Sequence, residues 1–177
     1  MCEKYNVEIA VCYKLFDKPA FELDERVKIK YLNKKNIVPN KEKFKKAWNE
    51  KRIISLFKEG IFALKVLRLR KKNMVNYIKK SNSDIIISTR DIFNYWLSDF
   101  GKENVLKIGW EHNHFHDDYT YASNIVNSAK MLDYLVLVSS DLQKYYNKEL
   151  HKAKCSCVYI PNSIDKIPEE VAELDNK

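Results

Sequence analysis

Two runs in this sequence, Ile85-Ile86-Ile87 and residues 134–138 (YLVLV), are apolar at every position. A strand with that pattern needs cover on both faces, which is what the central strands of a parallel sheet have. Other short runs share the character. Residues 7–13 (VEIAVCY) read as a buried strand, and residues 105–110 (VLKIGW) and 155–160 (CSCVYI) as further strands. Residues 27–32 (VKIKYL) alternate apolar and polar, as a half-exposed strand does. Helical spacing fills the gaps between these runs. From Lys41 to about Lys80, Phe44, Trp48, Ile53, Phe57, Phe62, Leu67 and Ile78 recur on a helical period interrupted once, at Gly60, which predicts one bent helix or two. Asp91 is placed to cap a helix through Tyr95 and Trp96, residues 121–132 read as a helix, and Ser139-Ser140-Asp141 caps another through Leu150. Strands alternating with helices, without hairpin turn signals, predict an α/β fold with a parallel sheet flanked by helices.

At 177 residues the length fits one domain, or one with a small second. Three glycines, Gly60, Gly101 and Gly109, are too few and too scattered for a P-loop or a Gly-x-Gly-x-x-Gly dinucleotide fingerprint. No run approaches the ~18 apolar residues of a membrane span. The first residues carry scattered charges and no apolar h-region, so no secretory signal is expected and the expected location is the cytoplasm. Cys2, Cys12, Cys155 and Cys157 then read as reduced thiols; Cys155 and Cys157 are too close for an ordinary disulfide, and a Cys-x-Cys pair alone is a weak zinc signal.

In parallel α/β sheets ligands gather at the carboxyl ends of the strands. Here those ends are Ser88-Thr89-Arg90, Glu111-His112-Asn113-His114, Ser139-Ser140 and Pro161-Asn162-Ser163, each polar and each following an apolar run. The site is expected along that edge.

Four of these segments carry a resemblance. Residues 84–90 (DIIISTR), Trp110-Glu111-His112-Asn113, residues 129–142 (AKMLDYLVLVSSDL) and residues 159–165 (YIPNSID) follow one another in the order and spacing of the N-terminal, acceptor-side domain of family 4 glycosyltransferases. The resemblance covers nearly half the chain. It implies a Rossmann-like domain over residues 1–165, one half of a GT-B fold, with residues 166–177 starting the interdomain linker. Relative to the family pattern, the first strand and its glycine-rich acceptor loop are missing before residue 7, and so is the nucleotide-sugar domain with its Glu-x7-Glu motif. The expected consequence is a fragment inactive alone. Without the first strand, the sheet is expected either to have a gap filled by a partner chain, such as a second copy, or to pair the strands at residues 7–13 and 85–87 directly.

The implied activity is retaining transfer of a sugar from a nucleotide sugar to a glycan or lipid-linked acceptor, in cell-envelope or capsular polysaccharide synthesis, without cofactor or essential metal. His112 stands where the family has a histidine facing the donor sugar across the cleft. A neutral imidazole can bond a sugar hydroxyl or a backbone carbonyl; the other reading is a histidine tying down a strand end. Glu111, on the opposite side if the strand continues, either orients a neighbour or an acceptor hydroxyl or is a solvated carboxylate. Arg90 suits an anionic acceptor or phosphate, or a surface ion pair. Ser139 and Asn162 are substrate-binding candidates whose commoner roles are helix cap and turn. His112, His114 and His116 alternate, with Asp117 and Asp118 following. Zinc is disfavoured because alternate strand residues lie roughly 7 Å apart, too far for three to share one tetrahedral ion without bending.

Charge is unevenly distributed. Residues 41–80 hold fourteen Lys or Arg against three Glu, a net of +11, so the rest of the chain is slightly acidic within a total of +8. A basic helix that also bears Trp48, Phe57, Ile61 and Phe62 reads as a surface-binding helix on anionic lipid, each basic residue near the surface contributing about 1 kcal/mol. Its bland alternative is a solvated helix face over the sheet. A non-enzymatic basic module for nucleic acid or anionic surfaces is the competing function. No aromatic–basic stacking motif of a known nucleic-acid module accompanies the helix, which disfavours nucleic acid.

Overall fold

A computed structural model describes residues 2–113 and 118–162. The elements run β1 (Glu8–Val11), β2 (Lys28–Tyr31), α1 (Lys41–Asn49), α2 (Ile53–Lys80), β3 (Ile85–Ser88), α3 (Asp91–Phe100), β4 (Leu106–Glu111), α4 (Tyr119–Ala129), β5 (Tyr134–Leu137), α5 (Ser140–Glu149) and β6 (Ser156–Tyr159). The fold is α/β with parallel strands and flanking helices, Rossmann-like in its second half. The chain divides into two compact units, Met1–Asn82 and Ser83–Lys177.

In the first unit β1 and β2 form a two-stranded parallel sheet, Glu8 opposite Lys28 and Val11 opposite Tyr31. Polar side chains tie it to α2. Asn73 Nδ2 donates to Leu32 O (3.0 Å) and to Asn33 Oδ1 (2.8 Å), buried Asn33 donates to Cys12 O (2.8 Å), and the Tyr77 hydroxyl donates to Glu8 (2.6 Å). Burial and then this bond to Glu8 push the Tyr77 phenol well above its ordinary pKa.

Two expectations change here. The run at residues 7–13 is not a buried strand: in β1 Glu8 and Ile9 are exposed and Ala10 and Val11 half-buried, because only one strand flanks it among the described residues. The long basic segment is two helices, yet the break is not at Gly60, which lies inside α2. It falls at Glu50–Arg52, where Lys51 takes a left-handed backbone with φ of 53°.

In the second unit the four-stranded sheet runs β3-β4-β5-β6, all parallel. Consecutive strands that step across the sheet in chain order, joined by right-handed crossovers, carry their helices on one face. The burial pattern largely agrees: Lys107, Gly109, Glu111, Leu135, Leu137 and Cys157 are buried, while Leu106, Ile108, Trp110 and Val158 on the other face are only half-buried and Val136 alone of that row is buried. The core on the helical side collects Leu97, Ile125, Leu132, Leu142 and Tyr146, all almost completely buried.

The triple isoleucine does not mark a central strand. β3 is an edge, and Ile85 and Ile87 are exposed. Nor does β3 pair with β1, whose partner is β2; among the described residues nothing pairs with the outer side of β3. Asp91 does not cap α3: the N-cap is Arg90, with no side-chain capping bond, and Asp91 is the first helical residue, favourably placed by its charge at the positive end of the helix. The cysteines carry no disulfide among the described residues, and burial raises the Cys155 thiol to about 12 and the Cys157 thiol to about 11, far from reactive values.

Candidate functional site

The strand register sets the heights of the candidate residues. Ser88 lies opposite Gly109, Glu111 opposite Leu137, and Leu137 opposite Tyr159. Each candidate lies past the end of its strand: Arg90 two residues after β3, His112 one after β4, Ser139 two after β5 and Asn162 three after β6. Three interstrand steps of ~4.8 Å set β3 and β6 about 14 Å apart across the sheet. The expected site residues thus follow the carboxyl ends of four neighbouring strands and are spread along them.

Two packing details hold the middle of that edge. Asn94, fully buried on α3, accepts a hydrogen bond from the Ser88 hydroxyl and approaches β4 at Gly109. A Cβ at Gly109 would stand 2.8 Å from Leu132 Cδ1 and 3.0 Å from Asn94 Oδ1, so any larger residue there must push the Leu132 and Asn94 side chains aside. At the other end of β4, Asp133 accepts from Lys107 N (2.8 Å) and pairs with Lys154 (2.7 Å). Burial opposes ionisation of Asp133, but Lys154 and the Lys107 amide outweigh it and hold the carboxyl below its ordinary range.

β4 ends with its last residues turned opposite ways. Glu111 is buried; it accepts from Asn113 N (2.7 Å) and from the Tyr121 hydroxyl, which itself accepts from Asn113 Nδ2 (3.3 Å). Burial raises the Tyr121 and Tyr146 phenols, and the Glu111 carboxylate adds to both shifts. Glu111 is therefore neither a solvated carboxylate nor open to an acceptor. It is an internal anchor for the Asn113 amide and the Tyr121 hydroxyl.

His112 lies on the other side, exposed and stacked on Trp110 with ring centroids 5.5 Å apart and planes 7° from parallel. The imidazole is presented to solvent one residue past the end of β4, on the side away from buried Glu111. Trp110 Nε1 is buried without a hydrogen-bond partner among the described residues.

The remaining candidates have mixed fates. Ser139 caps α5, its hydroxyl accepting from Leu142 N (3.2 Å). Arg90 and Asn162 are exposed after β3 and β6. Among the described residues no cluster of His, Cys, Asp and Glu could hold a metal ion; His114, His116 and Asp117 lie outside those residues, while Asp118 caps α4 through Tyr121 N (3.0 Å). Asn113 and Tyr121, which bond with Glu111, carry no signal of that role in the sequence; α4 brings Tyr121 to the end of β4.

The fold and its edge define a class, a parallel α/β protein with polar residues after the carboxyl ends of its strands. Comparison of the chain with protein-family models, with curated proteins and with solved structures finds no match.

Proposed function

We propose that this chain is the acceptor-side half of a retaining glycosyltransferase that uses a nucleotide-sugar donor and a glycan or lipid-linked acceptor. The observation that carries the reading is the exposed His112 imidazole, stacked on Trp110 at the carboxyl end of an internal parallel strand. An imidazole so placed can accept from or donate to a sugar hydroxyl while the stack limits its rotation. Arg90, exposed two residues past the neighbouring strand β3, offers a cation for an anionic acceptor group. Asn162 lies within the same row and supplies both donor and acceptor to hydroxyls. Ser139, with one lone pair engaged in the helix cap, retains its hydroxyl proton and a second acceptor site for a ligand. Glu111 acts through the loop: it holds Asn113 and Tyr121 and thereby the backbone on which His112 is mounted.

The chain joined to a nucleotide-sugar-binding domain of GT-B type, assayed for transfer and for slow hydrolysis across a panel of nucleotide sugars, tests the reading. Turnover is expected with at least one donor. His112→Ala should then lower kcat about a hundredfold, the lower end of what a positioned imidazole supplies, with the circular-dichroism spectrum and melting unchanged. Absence of turnover with every donor overturns the reading.

A further inference from the structure

α2 exposes a continuous apolar stripe that its own unit leaves uncovered. Ile53, Ile54, Phe57, Ile61 and Leu64 fall within ~100° of one another around the helix axis, and each is between 54 and 80 % exposed. Val66, the most buried residue of the helix, projects from the opposite side. The stripe is bordered and continued by cations. Lys58 and Lys65 border it along one side, and Arg68, Lys71 and Lys72 extend it toward the C-terminal half. Among the described residues none of these five is in an ion pair with a carboxylate. The sole acid of α2, Glu59, lies off the stripe and is bonded to Asn40. Ile61, Leu64, Lys65, Arg68 and Leu69 line one shallow depression, so alkyl groups and cations share a surface.

We infer that this face of α2 lies flat on an anionic phospholipid bilayer. Exposed large apolar side chains in a row cost solubility unless something covers them. The charge around the row selects a partner that is apolar within and anionic at its boundary. A bilayer has that profile over the length of a helix, with alkyl side chains reaching past the headgroups and lysine and arginine stems snorkelling back to the phosphates. Nucleic acid answers the cations and leaves the isoleucines and Phe57 in water. α2 is 28 residues long, yet no helix among the described residues is long and apolar enough to cross a membrane, which leaves the in-plane orientation.

The test is co-sedimentation of the full chain with vesicles, one set of phosphatidylcholine alone and one of phosphatidylglycerol and phosphatidylcholine in equal parts. Binding is expected to the anionic set only and to weaken as salt is raised. Reversing Lys58, Lys65 and Arg68 to Glu should lower the partition coefficient by at least about a hundredfold, at roughly fivefold for each basic residue removed from the surface. Phe57→Ser with Ile61→Ser should lower it about tenfold or more at constant charge. These side chains are exposed, so the variants should keep the parent's melting temperature. Equal binding to both vesicle sets, or tighter binding to duplex DNA or RNA than to anionic vesicles at the same ionic strength, overturns the inference. So does a Phe57/Ile61 variant that binds vesicles as the parent does but no longer self-associates.

Discussion

Both sheets of this chain are parallel and both are built from short strands, but they are held together differently. β5 buries Leu135, Val136 and Leu137 in succession, flanked by β4 and β6 and supported by α5. In β1 and β2 no residue is buried, and the strands are tied to α2 by Asn73, Asn33 and Tyr77. A parallel pair gains little from its ladder alone, and an isolated two-stranded sheet is marginal in water. The four-stranded sheet draws its stability from apolar area removed from water, the two-stranded one from a few directed polar bonds.

The largest expected effect tests that contrast in the buried sheet. Leu135→Ala should cost about 2–5 kcal/mol, since the side chain is fully buried and its neighbours on β4 and β6 cannot collapse onto the space. Urea unfolding measures it, and a loss below about 1 kcal/mol would mean that β5 is not the centre of the core. Gly109→Ala comes next, at about 1–3 kcal/mol, because the added methyl must displace Leu132 and Asn94. A neutral result would show that α3 can withdraw from β4.

Asp133→Ala should cost about 1–3 kcal/mol near neutral pH by leaving the Lys107 amide without its acceptor. The folded-state pKa of Asp133 is depressed, so its contribution is present above the unfolded carboxylate value of about 3.9 and is lost as pH falls through the lower folded value. The stability difference between parent and variant should therefore shrink on acidification below about pH 4. A difference that grows there has the wrong sign for this account. The smallest effect belongs to the other sheet. Ile9→Ala, at an exposed position of β1, should change stability by no more than about 0.5 kcal/mol. A cost comparable to that of Leu135→Ala would erase the contrast.

Much of the second unit was legible in the sequence. Residues 105–110, 134–138 and 155–160 are strands within one or two residues, and the polar groups after them do stand on one sheet edge. The opposed directions of Glu111 and His112 follow from the two-residue period of a strand. Ser139 was readable as a cap because a serine before an apolar helical run satisfies an amide its backbone cannot. What misled was the use of composition to infer position. Ile85-Ile86-Ile87 has the makeup of a central strand and sits at an edge, and residues 7–13 have the makeup of a buried strand and remain open. Gly60 seemed the natural break in the basic segment, but α2 tolerates it, and Lys51 makes the turn instead.

From the order of its residues alone this chain was bound to be a parallel α/β protein, with its polar groups gathered after the strands and a basic, apolar-striped helix before the third. Those properties follow from backbone periods of 2 and 3.6, which a single segment expresses without its neighbours. Only the tertiary structure decided that the strands divide into two sheets, that β3 is an edge, that Asn94 and Leu132 crowd position 109, and that Tyr121 meets Glu111. Each of these depends on which distant segments meet. Pairing and packing over long separations are settled by the sum of buried area and satisfied hydrogen bonds across the whole fold, and no local pattern carries that sum.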